Sequence, residues 1–245
     1  MAFTTYSLLL WTALDVLNPL EKSKRAAASM MQAASESGPS SAAAVKRLSG
    51  SVRAASLVTA GVVMTTALSG AFVAGNDAGR AYNTFPMMDG RWVPEEILEL
   101  SPVWRNAFEN TATVQLDHRV LAYASSAAVL STAGLARFGA GGALWKVLPG
   151  ATRVAIGGMG AMLGVQVGLG VSTLLLYVPI ELAAAHQLGS LALLSFTTAA
   201  AHSLRVVPFQ FSLPITFAAG VGGAIAAPAM VIAGSTVASA SALEK

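Results

Sequence analysis

Three stretches of this chain, 54–76, 154–180 and 182–204, run for 23 to 27 residues without a carboxylate, lysine or arginine, and 120–136 adds a fourth of 17. A helix that crosses a bilayer needs roughly 20 predominantly apolar residues, and none of these runs has the strict alternation of a membrane barrel strand. The fourth reaches the required length when it is extended back to Thr111 through Asp117, His118 and Arg119. All four are rich in Gly, Ala, Ser and Thr, the small residues that let helices approach closely in lipid. Charged residues make up only 11% of the chain, against about a quarter in soluble domains. The expected fold is therefore all-α, a polytopic membrane four-helix bundle spanning 54–205, and the first partner of the chain is the lipid bilayer.

The flanks are less regular. The 206–243 stretch carries no charge but is interrupted by Pro208, Pro214 and Pro228; within it, 215–233 reads as an extra C-terminal span kinked at Pro228, with a surface-lying segment as the alternative. At the other end, 6–17 is apolar but too short to cross. The 21–53 stretch holds six basic residues and two acids and reads as a basic loop between membrane segments. Its composition also suits a transit peptide, a reading that the apolar start disfavours. Lys46, Arg47, Arg53, Arg137, Lys146, Arg153 and Arg205 fall on one side of the four spans. The 77–109 loop, with six acids and three arginines, falls on the other. Positive charge is retained on the cytoplasmic or matrix side, so the acidic loop faces outward.

Cysteine is absent, which excludes disulfides and thiolate chemistry, and a net charge of +3 without basic–aromatic clustering gives no sign of nucleic-acid binding. Metal chemistry rests on three histidines, His118, His186 and His202. His118 lies about two turns into the second span and His186 about one turn into the fourth, both counted from the outer side. At ~1.5 Å per residue they reach nearly the same depth. Two imidazoles at matched depth in a helix bundle can serve as the axial ligands of one heme, with Gln115 and Gln187 as candidates to orient them. The alternative is that each pairs with a polar group on a neighbouring helix; the cost of polar residues inside a membrane favours a functional role. His202 lies 16 residues beyond His186, so ~24 Å away, and reads as a polar residue at the basic interface. Arg119, Arg80 and Arg91 are candidate partners for heme propionates, or else snorkel and pair with Asp117 and the loop acids.

Four segments then resemble the heme A synthase family in its mitochondrial form: TALSGAFVAGNDAGRAYNTFPMM (66–88), WRNAFENTATVQLDHR (104–119), QVGLGVSTLLLYVP (166–179) and LAAAHQLGSLALL (182–194). They match the family's fifth to eighth helices in order, and YSLLLWTALDVLNPL (6–20) resembles the end of its fourth. The resemblance implies a multi-pass protein of the mitochondrial inner membrane. It implies an oxidoreductase that converts heme O to heme A for cytochrome c oxidase assembly, with His118 and His186 binding the iron of a b-type heme; Arg119 and Gln187, adjacent in sequence, join them as candidate cofactor-binding residues. It also implies that this chain corresponds to the C-terminal, electron-transferring half, with a first half supplied by another polypeptide or lost by truncation. No catalytic residue is assigned. The alternative is a heme-binding or structural membrane subunit without activity, docked in a respiratory complex or a homo-oligomer through 206–245. A transporter is disfavoured, since no carboxylate lies deeper in the spans than Asp117 and no inverted repeat is evident.

Overall fold

Prolines and one asparagine punctuate the chain. The computed structural model describes residues 2–209, and its helices are α1 (Ala2–Leu17), α2 (Leu20–Glu36), α3 (Pro39–Gly75), α4 (Asn106–Glu109), α5 (Thr111–Phe138), α6 (Ala143–Val147), α7 (Gly150–Leu175) and α8 (Ile180–Ser203). Pro19, Pro149 and Pro179 sit immediately before α2, α7 and α8, and Pro39 opens α3. A missing N–H costs nothing in the first turn, where no intrahelical acceptor exists. Asn110 caps α5 by accepting a hydrogen bond from the Thr113 N–H at 2.9 Å, satisfying one of the unpaired donors there.

Among the described residues there is no strand, and the segments beginning with α3, α5 and α7 are long and apolar enough to cross a membrane. The fourth expected span, α8, has the length at 24 residues, but Glu181, His186, Gln187 and His202 dilute its apolar character. It nevertheless packs as the fourth member of the bundle. α3 lies against both α5 and α8, and α7 lies against both α8 and α5, so α5 and α8 face each other across the diagonal. The protein is a multi-pass helical membrane protein.

The 21–53 segment, expected as a loop, is instead helical almost throughout. α2 buries one face, through Ser23, Met30 and Ala34, and packs on α3. α3 itself begins at Pro39, 15 residues before the apolar run. Its 37 residues extend for roughly 55 Å, well beyond a hydrocarbon core of about 30 Å. Lys46, Arg47 and Arg53 interrupted the apolar pattern without interrupting the helix. The expected extra span at 215–233 lies outside the described residues.

The tight core occupies the basic, inner end of the bundle. It is built from Val45, Val52 and Val63 of α3, Val129 and Ala136 of α5, Ile156, Met159 and Leu163 of α7, and Leu193, Leu194 and Ala200 of α8. Inter-helix hydroxyl pairs tie it together: Thr59 to Thr132 at 2.9 Å and Thr152 to Ser203 at 2.9 Å. Such polar contacts supply helix association where lipid removes the usual apolar drive. Gly158 lies beneath the Phe196 ring so closely that an added Cβ would collide with it. Beyond Val63 in α3 and Leu163 in α7 those two helices bury no further residue, whereas α5 buries Ala112, Val114 and Gln115 at its outer end.

Candidate functional site

His118 is the eighth residue of α5 and His186 the seventh of α8. Both helices begin at the outer, loop-bearing end, so the two rings differ in depth by about one residue, ~1.5 Å. They lie on the diagonally opposed helices, in the outer half of the bundle.

Each ring rests on the neighbouring helix in the same way. A Cβ on Gly70 of α3 would stand 3.2 Å from His118 Cε1, and one on Gly170 of α7 would stand 2.8 Å from His186 Cε1. Four residues before each glycine a backbone carbonyl lies beside the ring, Thr66 for His118 and Gln166 for His186. The absent side chains bare those carbonyls and let the rings close on the helix. The hydrogen bonding differs. His118 Nδ1 lies 2.8 Å from Ser69 Oγ. His186 Nδ1 is buried without a hydrogen-bond partner among the described residues.

Three further buried side-chain atoms lack a partner among the described residues: Thr113 Oγ1, Arg119 Nε and Gln166 Oε1. All lie in the outer half, where such atoms call for a partner that the described residues do not supply. Arg119 uses its terminal nitrogens on the loop: Nη1 donates to the carbonyls of Pro86 and Met87, and Nη2 to those of Tyr82 and Thr84, at 2.9 to 3.3 Å. Gln115, expected to orient His118, donates instead to the Ala78 and Tyr82 carbonyls at 2.9 and 3.2 Å. Gln187 is exposed, and its side chain makes no hydrogen bond among the described residues. Asp117 faces outward from α5, and Arg80 is exposed; neither forms an ion pair among the described residues, whereas Arg91 pairs with Glu95.

The 76–110 segment closes the outer end as an ordered loop. Asn83 ties it to α7 by donating to the Leu174 carbonyl at 2.9 Å, while Arg119 and Gln115 tie it to α5. Asn106, fully buried, accepts from the Leu100 N–H and donates to the Leu100 and Val103 carbonyls, each at 2.9 Å. The Tyr82 hydroxyl donates to Glu96 at 3.0 Å. Burial, and then this carboxylate, push the phenol's pKa up. Glu96 is held below its ordinary value by hydrogen bonding to its own backbone and then from Tyr82.

His202 is set apart from this arrangement. It was expected at an interface but is 1% exposed, at the inner end of α8. Its Nε2 lies 2.9 Å from Asp15 of α1, its Nδ1 lies 3.2 Å from Arg205 Nη1, and Trp11 packs edge-on against it. Arg205 also donates to the Asn18 carbonyl. These contacts clamp α1 onto α8 and leave no ring nitrogen for a ligand.

The fold and the pair thus define a class: a polytopic helical membrane protein with two imidazoles opposed across its bundle. Within that class the chain belongs to the COX15-CtaA family of cytochrome oxidase assembly proteins, whose family model matches residues 1–198. The relatives include the protein named heme A synthase COX15 of Arabidopsis thaliana, 42% identical over 210 residues, covering 83% of this chain and 39% of the relative. The Bos taurus protein of the same name is 52% identical over 151 residues, 61% of this chain and 35% of its own length. The heme A synthase of Nitrosospira multiformis is 39% identical over 205 residues, 84% of this chain and 50% of its own. The chain therefore spans half or less of the length of these curated relatives. No solved structure matches it.

Proposed function

We propose that this chain is the part of a heme A synthase that holds a b-type heme between His118 and His186, contributing electron transfer to the oxidation of heme O to heme A for cytochrome c oxidase. The observation that carries the reading is the pair itself: two imidazoles at one depth, on diagonal helices, each seated on a glycine. The donor set suits the group, because neutral imidazoles are common axial ligands to heme iron. His118 and His186 would hold the heme, which when bound would supply one-electron transfer.

The chain's own residues have separable tasks. Gly70 and Gly170 admit the rings, and Ser69 engages Nδ1 of His118 so that its Nε2 is left to ligate. Arg119 fastens the outer loop over the site and keeps a buried Nε–H for an acidic group such as a propionate. Gln187 stands exposed beside His186 as a polar contact for the cofactor's edge. The tight inner half excludes water from below and fixes the spacing of the helices. Oxidation of the substrate ring is assigned to the remainder of a family-length protein, on the same or a separate polypeptide. The localisation proposed is the mitochondrial inner membrane, with the basic inner end in the matrix; the animal and plant relatives and the charge asymmetry of the loops support it.

The test is a reduced-minus-oxidised spectrum of the full chain purified after expression with heme supply, beside His118→Ala and His186→Ala. A low-spin b-type spectrum in wild type that is lost or turned high-spin in either variant is the expected result. No heme in wild type, even with the remaining family segment coexpressed, would overturn the ligand assignment and leave a structural membrane subunit.

A further inference from the structure

We propose that Ser69 is a positioning residue that locks His118 into one tautomer, making the two ligands inequivalent: His118 firmly held, His186 exchangeable. This deepens the heme reading above and rests on it.

The two histidines occupy the same backbone cradle, which makes the single difference between them informative. Thr66 and Gly70 are spaced four apart on α3, as are Gln166 and Gly170 on α7. In both cases the ring packs on the glycine, beside the carbonyl one turn earlier. The residue just before the glycine is Ser69 on α3 and Leu169 on α7. Ser69 Oγ donates its one proton to the Thr66 carbonyl at 2.7 Å. Its contact with His118 Nδ1 at 2.8 Å is then one in which the hydroxyl oxygen accepts and the imidazole donates. His118 is thereby held with its proton on Nδ1 and its lone pair on Nε2. Leu169 offers no acceptor, so the His186 ring has only the Gln166 carbonyl beside it, and its Nδ1 makes no hydrogen bond among the described residues.

An acceptor on the far nitrogen fixes the orientation of a ligating histidine and raises its basicity, and loss of such a partner typically weakens metal affinity 10- to 100-fold. His118 therefore gives the stronger bond and the more constrained ring. His186, which has the Gln166 carbonyl and Gly170 beside it but no side-chain acceptor, is the ligand that an external competitor displaces first. A stronger donor stabilises the oxidised iron, so Ser69 also holds the midpoint potential down.

Ser69→Ala, Ser69→Thr and Leu169→Ser in the full chain, reconstituted in lipid nanodiscs, test this with two readouts. The first is the nitrogen-15 spectrum of the histidine rings without heme, assigned with His118→Ala and His186→Ala. Wild type and Ser69→Thr are expected to show His118 wholly as the Nδ1–H form, and Ser69→Ala a mixture. The second is the midpoint potential of the heme-loaded protein. It is expected to rise in Ser69→Ala, return in Ser69→Thr and fall in Leu169→Ser, all remaining low-spin. Heme bound as expected, with tautomer and potential both indifferent to Ser69, would overturn this proposal alone. No heme in wild type beside a Ser69-dependent tautomer would overturn the heme reading, and the inequivalence of ligands with it.

Discussion

At the inner end of the bundle the polar side chains close on one another: His202 between Asp15 and Arg205, Thr59 against Thr132, Thr152 against Ser203. At the outer end some do, as Ser69 with His118 and Thr66 with Ser125, but four buried polar atoms do not. The buried polar atoms without a partner among the described residues, on Thr113, Arg119, Gln166 and His186, all lie there, in the half where α3 and α7 bury no residue fully. The same four helices build both halves, from similar small-residue sequences. A histidine with a carboxylate on one nitrogen and a guanidinium on the other is finished as a structural part. His186, whose Nδ1 is buried without a hydrogen bond among the described residues, is not finished in that way.

This contrast can be broken from either side. The largest effect is expected from Gly170→Leu, whose added side chain begins 2.8 Å from His186 Cε1 and must push the ring out of its seat. Heme is expected to be lost as completely as in His186→Ala, while circular dichroism and thermal unfolding in detergent stay near wild type. Retained heme would show that the seat does not position the ligand. Met159→Ala, in the tight half, is expected to do the reverse, because Met159 is fully buried and its removal leaves a cavity. The loss should fall in the lower part of the ~2–5 kcal/mol range, since lipid removes much of the transfer contribution. Thermal unfolding of the heme-free chain reads it, with the heme spectrum unchanged.

A smaller effect is expected from His202→Ala. It removes one member of the clamp between α1 and α8 but leaves Arg205 3.3 Å from Asp15, for a cost of about 1–3 kcal/mol. Faster proteolysis of 1–18 at unchanged heme content would register it; loss of heme would mean that the two ends are not independent. The smallest concerns the loop, where hydrogen bonding from Arg105 holds the exposed Glu109 below its ordinary pKa. The contribution of that pair is present above the ordinary carboxylate value and is lost as pH falls through the lower, folded one. Carboxylate NMR should place the Glu109 midpoint below that of an unstructured glutamate and return it in Arg105→Ala, with salt reducing the difference.

The apolar spans were legible in the sequence because lipid imposes a length and a composition on any helix that crosses it. The expected 111–136 and 182–204 correspond closely to α5 and α8, and counting turns from their outer ends placed His118 and His186 level. α2 and the first 15 residues of α3 were not legible. Charges at Lys46, Arg47 and Arg53 end an apolar run, although they do nothing to end a helix that has left the bilayer. The supporting residues of the pair were missed for another reason. Ser69, Gly70 and Gly170 are small residues among many, and which of them faces a ring is decided by helix rotation. A signal did exist in the equal spacing of Thr66–Gly70 and Gln166–Gly170, visible once each glycine is paired with a histidine on the next helix. His202 stands beside Arg205 at the basic end as expected, but its burial and its partner Asp15 were not legible, because Asp15 stands 187 positions away.

The cradles have a consequence for biogenesis. His118 is seated entirely by α3 and α5, and His186 entirely by α7 and α8, so each ring is oriented by the helix inserted just before its own. A chain entering the membrane from its N-terminal end completes one seat and then the other without rearranging the first. Only the packing of α3 on α8 and of α5 on α7 then brings the rings face to face. On the proposed heme reading, cofactor capture would fall at that last association step, between two helix pairs that already hold their histidines.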